Sequence, residues 1–208
     1  MKKLTMISVF LLLMVAQAIH SQETSRDVRF TIKTNPLAAL GGPLYVAFLP
    51  VTGEYKVLFE IKTTSKQSIE TGLGYLGSSV ILNMDELADS IDKITVSGFR
   101  VQLKYKFFIT KDEAPRGFYV APHISYAFAG ISNKANSEDK ITLSKLNLNV
   151  LFGYQVITKG RFALDLYSGL GFKMRDYNIP NDTDFNELDL GNRVAPNVAL
   201  GFSFGFAF

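Results

Sequence analysis

The chain has 208 residues and no cysteine, and its 22 basic residues against 19 acidic ones give a formal net charge of +3. The lack of cysteine excludes a disulfide framework, a thiolate metal site and a lipidated amino-terminal cysteine. The length suits one domain, and the small net charge is no argument for a nucleic-acid partner.

The chain begins with the features of a secretory signal peptide. Lys2 and Lys3 form a basic start, residues 6–15 form an apolar run too short for a transmembrane helix, and Ala16 and Ala18 give a small-x-small cleavage pattern. We therefore expect residues 1–18 to be removed, leaving a mature domain of residues 19–208. Loss of the two lysines from the 22 basic residues leaves 20 against 19 acidic ones, a net charge of +1.

Most of the remaining chain alternates large apolar residues with polar, charged or small ones, the period-two pattern of β-strands. In the last segment, for example, Phe202, Phe204 and Phe206 alternate with Ser203 and Gly205. The start of the second segment, between residues 45 and 53, is the least defined boundary. The predicted strands are residues 28–36, 54–62, 69–75, 98–109, 118–128, 145–156, 162–175 and 194–208.

In all eight segments the charged residues fall on the polar face. The apolar face carries bulky Phe, Tyr and Leu side chains that eight strands could not pack into a narrow interior, whereas the polar face mixes small and long charged side chains that would fill one. This favours the apolar-out, polar-in arrangement of a membrane barrel over a soluble barrel with an apolar interior. The sequence therefore predicts an all-β, eight-stranded antiparallel up-and-down transmembrane β-barrel. In its first strand, Val28 and Pro36 are assigned to the outward face and Arg29 to the inward face.

The predicted links alternate in length, as expected for short periplasmic turns and longer outer loops. An ordinary antiparallel meander with uneven loops is the alternative. Aromatic residues are predicted near both ends of the outward face, where rings prefer the membrane–water interface. The short links are 64–67, 111–116 and 159–160, and the long ones are 41–52, 78–93, 131–140 and 176–192.

The terminal Phe208, preceded by alternating apolar residues, resembles the last-strand signature of Gram-negative outer-membrane proteins, which the barrel-assembly machinery recognises in those proteins. The stretches 33–37, 53–55 and 68–75 (KTNPL, GEY and SIETGLGY) are similar to small outer-membrane barrels of the Bacteroides group, whose function is unknown. This resemblance covers the mature chain. It implies an outer-membrane location with lipid and the assembly machinery as partners, and it carries no catalytic residues.

The inward face carries more basic than acidic residues, and these are expected to fill the lumen with salt bridges while the surplus cations lie near water at the barrel ends. An anion-selective vestibule or narrow conduit is the alternative. The inward basic residues are Arg29, Lys33, Lys56, Lys62, Arg100, Lys104, Lys106, Lys145, Lys173 and Arg175, and the inward acids are Glu54, Glu60, Glu70 and Asp165. The predicted lumen charge network consists of Glu60, Glu70, Arg100, Lys104, Lys145, Asp165 and Lys173.

His123 is the only histidine of the mature chain besides His20, and it shares the inward face with Ser125. With an acid such as Glu70 or Asp165 the pair could form a hydrolase triad. A site that acts on lipid must face the bilayer or its rim, however, so a hydrogen-bonded lumen residue is the expectation for His123. So few histidines predict no metal site.

Two of the predicted outer loops carry weaker signals. Asp182, Asp184 and Asn186 resemble the start of a calcium loop, but Glu187 replaces the required glycine and Arg193 the final acid. An EF-hand site is therefore rejected, and a looser divalent-ion site is left open. Residues 82–92 could form a short amphipathic helix capped by Asn83.

Three functions are compatible with this interpretation. The first is a non-enzymatic scaffold or surface-binding protein, a monomer without cofactor whose outer loops meet an extracellular ligand. The second is a narrow anion conduit, and the third is a lipid-modifying hydrolase that uses His123 and Ser125.

Overall fold

The computed structural model describes residues 28–39, 52–78, 94–133, 136–178 and 193–208. These residues form eight antiparallel strands that close into a barrel, which confirms the predicted all-β barrel architecture. No helix in the described ranges is long and apolar enough to cross a membrane. The elements are β1 (Phe30–Thr34), α1 (Pro36–Ala39), β2 (Thr52–Thr64), β3 (Gln67–Ser78), β4 (Ile94–Phe108), β5 (Gly117–Asn133), β6 (Asn136–Ile157), β7 (Phe162–Asn178) and β8 (Val194–Ala207).

Each strand pairs with its neighbour in the chain, and β8 returns to pair with β1. The barrel therefore has the up-and-down order that a period-two sequence with hairpin links produces. The pairing between β5 and β6 runs from Gly117 and Gln155 to Asn133 and Asn136, whereas β1 and β8 share only four register pairs. The contact between β1 and β8, called the seam below, is the shortest in the barrel.

The two faces of the strands have the composition that alternation predicts. Large apolar side chains are exposed on the outside of the barrel along β2 to β8, while charged and small side chains point inward and are buried. Inside, apolar residues form only small clusters, such as Phe108 and Tyr119 with Leu151, and Leu76 with Ala127. Among the described residues, the interior is consequently packed by polar and apolar side chains together, with Leu58 and Leu151 fully buried beside the charged groups.

Inward glycines make room for the two large inward tyrosines. A Cβ atom at Gly201 would lie 2.5 Å from the Tyr167 hydroxyl, and one at Gly153 would collide with the Tyr119 ring. Each tyrosine thus lies across a glycine of the adjacent strand, because a narrow lumen cannot hold a ring and a facing side chain at the same level.

The first strand departs from the prediction at both ends, because side chains alternate only where the chain is extended. Arg29, assigned to the lumen, is exposed, and Val28, assigned outward, is buried with Ile157, Ala163 and Ala207. The extended strand begins only at Phe30.

At the other end of β1, Pro36 was assigned to the outward face of the strand but begins the short helix α1. The Asn35 side chain accepts a hydrogen bond from the Ala38 N–H at 3.2 Å. Asparagine is a favoured residue just before a helix, and proline fits the first helical position because no N–H partner is needed there.

The predicted long link at residues 131–140 is also wrong. Strand β5 continues to Asn133 and β6 starts at Asn136, with Ser132 opposite Lys140 and a register shift next to it. The polar composition of this stretch indicated a loop, but ladder hydrogen bonds join backbone groups and do not require apolar side chains. The links 64–67, 111–116 and 159–160 are short, as predicted.

Phe208 completes the seam. Its N–H donates to the Phe30 carbonyl at 2.8 Å, its carbonyl accepts from the Arg29 N–H at 2.7 Å, and its ring stacks on Phe30 with centroids 5.0 Å apart. The last residue therefore extends a pairing that has few other bonds.

We expect Phe208→Ala to lower the free energy of unfolding by about 0.5–1.5 kcal/mol more than the control variant does, since aromatic pairs contribute beyond their buried area. Phe172→Ala is the matched control, because Phe172 also faces outward but has no ring contact with a described residue. Circular dichroism during urea unfolding in detergent suits a chain without tryptophan. Equal losses in the two variants would contradict a special role for the terminal ring.

Candidate functional site

The candidate site is a cluster of charged side chains in the lumen, to which five strands contribute. Alternation directs these side chains inward, and the register brings Glu60, Glu70 and Lys104 side by side on β2, β3 and β4. We call the cluster the central network. Its charged members are Lys33 of β1, Glu60 of β2, Glu70 of β3, Lys104 and Lys106 of β4, and Asp165 of β7.

Lys33 and Lys106 lie at the centre of the network and contact the same three carboxylates. Lys33 Nζ is 2.6 Å from Glu60, 2.7 Å from Glu70 and 3.2 Å from Asp165. Lys106 Nζ is 2.7 Å from Asp165, 2.9 Å from Glu70 and 3.2 Å from Glu60. Both ammonium groups also donate to the Gln155 Oε1 atom at 2.8 Å.

Lys104 completes the balance of charges. Its Nζ is 2.7 Å from Glu70 Oε1 and 4.2 Å from the centre of the Tyr167 ring, a cation–π distance. The network thus holds three ammonium groups and three carboxylates, none of them more than 1% exposed. Because an unpaired buried charge is very costly, this neutrality is the condition for burying the network at all.

Neutral side chains satisfy the remaining oxygens. Glu60 accepts hydrogen bonds from Ser68 at 2.5 Å and from Gln155 Nε2 at 2.9 Å, while the Tyr119 hydroxyl donates to Asp165 at 2.7 Å. The Tyr119 ring also lies 4.7 Å from Lys106 Nζ. With these partners the network joins seven of the eight strands across the lumen.

The structure brings together four of the seven residues predicted for the lumen network, Glu60, Glu70, Lys104 and Asp165. The other three, Arg100, Lys145 and Lys173, lie on the inward face outside it. Arg100 forms an ion pair with Glu54, while Lys145 and Lys173 have no ion pair within the described ranges.

Lys33 and Lys106 were predicted to face inward but were not included in the predicted lumen charge network, yet both are buried at its centre. The alternation in the sequence correctly predicted that both lysine side chains point into the lumen. Their position along the barrel axis was not predicted, because it depends on how far each strand is displaced relative to its neighbours. The neutral partners Gln155 and Ser68 were not singled out from the sequence either, since an amide and a hydroxyl carry no charge.

The register also aligns a second group of cations. Lys56, Arg100, Lys145 and Arg175 lie in one row of paired residues across β2 to β7, with only Gly74 and Ala127 between them. The row lies farther than the central network from the short turns. Lys173 belongs to the neighbouring row, opposite Asn147.

His123 and Ser125 do not form the pair that a hydrolase would need. His123 Nδ1 lies 3.1 Å from Asn149 Nδ2, and the Ser125 hydroxyl accepts a hydrogen bond from Asn147 at 2.9 Å. No hydrogen bond joins them in the part of the chain that the structure describes. Each is bonded to an asparagine of β6, the strand next to β5.

The described residues include no group of three or more His, Asp or Glu side chains that could hold a metal ion. The three central carboxylates are paired with ammonium groups, so the network links neighbouring strands and does not form a reactive centre.

The candidate divalent-ion residues Asp182, Asp184 and Asn186, the helix expected at residues 82–92, His20 and the expected signal segment lie outside the described residues.

Removing one member of the network should cost far more than removing a balanced pair. We expect Lys106→Met and Asp165→Asn each to destabilise the barrel by about 3–5 kcal/mol, because each leaves an uncompensated buried charge. The double variant restores two cations to two carboxylates, so its cost should fall below the sum of the single costs by about 0.5–3 kcal/mol.

Lys62→Gln is the control for this cycle, since Lys62 pairs with the exposed Glu113 at 2.8 Å and such a pair is worth at most about 1 kcal/mol. Urea unfolding followed by circular dichroism measures all four variants. Strict additivity of the two single costs would argue against a coupled network.

Comparison of the chain with protein-family models, with curated proteins and with solved structures gave no match.

Proposed function

We propose that this chain is an integral outer-membrane protein, a non-enzymatic scaffold or surface-binding barrel with a filled lumen. In this proposal residues 1–18 direct export and are cleaved, and the mature chain is inserted as a monomer by the barrel-assembly machinery through the strand that ends at Phe208. Its lasting partner is outer-membrane lipid, and its longer links meet an extracellular ligand. Neither nucleic acid nor a cofactor has a role.

The observation that carries the proposal is the belt of exposed apolar side chains around the barrel. Large apolar patches are rare on soluble monomers, where they reach at most a few hundred square ångströms. Here exposed Val, Leu, Ile and Phe recur on the outward face of strand after strand, whereas buried lysines and glutamates fill the inside. A lipid environment explains why the outside of the barrel is apolar and why the charged side chains are directed inward. Examples from successive strands are Val57, Leu73, Val101, Phe118, Val150, Leu170 and Val198.

Aromatic contacts on the outward face support the same proposal. Near the short turns, Phe118 and Tyr154 lie 4.4 Å apart between ring centroids, and Phe162 contacts Phe206. Toward the opposite end, Phe99 and Phe128 are 6.0 Å apart. Ring pairs near both ends of the outward face are typical of the interfacial girdles of membrane barrels.

The central network favours a scaffold over a conduit. It crosses the lumen with ion pairs of 2.6–3.2 Å, and its charges are completely buried, so ions have no hydrated route past it. The hydrolase alternative is disfavoured because His123 is bonded to Asn149 instead of Ser125.

The membrane environment can be tested with one substitution made at two depths. Leu103, 45% exposed, lies in the middle of the belt on β4, and Ile109, 71% exposed, follows the end of the same strand. In lipid, Leu103→Arg should cost about 2–4 kcal/mol and Ile109→Arg about 0–1 kcal/mol. Unfolding of the two variants from lipid vesicles measures the difference. If both were equally tolerated, the barrel surface would be facing water.

The filled lumen can be tested by electrical recording. Purified protein in a planar bilayer should show no steady conductance, because the ion-paired network closes the interior. Successful insertion is verified by protection of the barrel from protease. Reproducible ohmic steps from the inserted protein would reject the filled lumen and make the anion conduit the leading function.

A further inference from the structure

The row of inward cations across β2 to β7, together with Lys173, is not neutral as the central network is. Lys56 and Arg100 share one carboxylate, that of Glu54, at 3.7 Å from Lys56 and in direct contact with Arg100. Lys145 and Lys173 have no carboxylate partner in the described ranges. Without counting Arg175, the four cations Lys56, Arg100, Lys145 and Lys173 face the single carboxylate of Glu54, so three positive charges are not neutralised by these residues.

The excess charges are close enough to interact. Lys145 is paired directly with Arg175 in the register of β6 and β7, and only Ala127 separates it from Arg100 in the same row. Like charges held together in a confined, partly desolvated space repel one another more strongly than in water. Such an arrangement is stabilised when an anion lies among the cations, and we call the space that they surround the basic vestibule.

Unsatisfied donors in the same region point to an acceptor from outside the described residues. The Arg100 side chain uses one terminal nitrogen for Glu54, and its buried Nε has no hydrogen-bond partner among the described residues. The amide nitrogen of Gln102, one row closer to the central network, also lacks one. Buried donors are rarely left without an acceptor, so both are candidates to bind ligand oxygens.

His123 adds a third donor at the boundary between the basic vestibule and the central network. Asn149 accepts a hydrogen bond from Asn197 at 2.6 Å through its oxygen, so its Nδ2 faces His123 Nδ1 as a donor. His123 Nδ1 then accepts, which places the proton of the neutral ring on Nε2. This Nε2 is buried and has no described partner.

The vestibule is accessible from one end only. The Arg100 side chain is 23% exposed and Lys145 and Lys173 are half-buried, whereas the central network below them is closed. A ligand would therefore enter and leave by the end remote from the short turns, and nothing would be transported through the barrel.

We propose that the basic vestibule binds a phosphate-bearing anion. Arginine forks match phosphate oxygens in pairs and lysines add point charges, so a site with both suits a multivalent oxyanion better than a single carboxylate. The phosphate could belong to a soluble molecule or to a lipid headgroup, and the two sources share this chemistry. The site itself does not depend on membrane insertion; only its exposure to the cell exterior rests on the proposed function.

The test uses the mature chain folded in a neutral detergent, with inorganic pyrophosphate as the soluble probe and dihexanoyl phosphatidic acid as the lipid probe, in a titration calorimeter. We expect binding of at least one probe, weakened by salt as for charged partners. Lys145→Gln combined with Lys173→Gln should reduce the affinity at least tenfold. Lys111→Gln combined with Lys159→Gln removes the same charge from exposed turn residues at the opposite end and should leave the affinity unchanged.

Circular dichroism and urea unfolding verify that both double variants fold. Binding of pyrophosphate would identify a soluble phosphate ligand, and binding of phosphatidic acid alone would identify a headgroup. Absence of binding by both probes would overturn the proposal. Equal losses in the two double variants would overturn it as well, since they would reduce the effect to the overall charge of the protein. Because the measurement is made in detergent, none of these results bears on whether the barrel inserts into a membrane.

Discussion

The structure depends on one electrostatic constraint, the need of charges sealed inside a narrow barrel to neutralise one another. Three lysines and three carboxylates meet in the lumen with none of their charge exposed. Because a buried charge without a partner is prohibitively costly, each strand must deliver its residue at the right height for the others to be tolerated. Charge balance therefore constrains strand register in a way that an apolar interior would not, since apolar packing tolerates exchange and sliding more readily.

The same alternation that directs lysines inward directs leucines and phenylalanines outward, so the inner and outer faces of the barrel are specified together. A slip of one residue in any strand would exchange its faces, placing charges in the belt and bulky rings in the lumen. The tyrosines that cross Gly153 and Gly201 show how little space the lumen has for such an exchange. Both faces therefore specify the strand register, because neither face accepts the residues of the other.

Periodicity alone gave the strand number, the orientation of nearly every side chain and the closed order, since these follow from local alternation and hairpin links. It gave neither the stagger between strands nor the strand ends. Lys33 and Lys106 were therefore left out of the predicted network but lie at its centre, and Arg100, Lys145 and Lys173 were assigned to a network from which they are separate. Pro36 and the polar residues 131–140 were misassigned because a capping asparagine and an extended hairpin are decided by backbone hydrogen bonds.

The seam has a consequence for how the chain can reach this state. Thr31 pairs with Ala207, so the shortest strand contact joins the two ends of the domain. Contacts between such distant residues form late, after the loop-closing entropy of nearly the whole chain has been overcome. Until the final residues have been synthesised and delivered, β1 and β7 are open sheet edges and Lys33 lacks its closed surroundings. A nascent or truncated chain would then present unpaired backbone and charge together, and we expect such chains to require a holding chaperone rather than to fold in part.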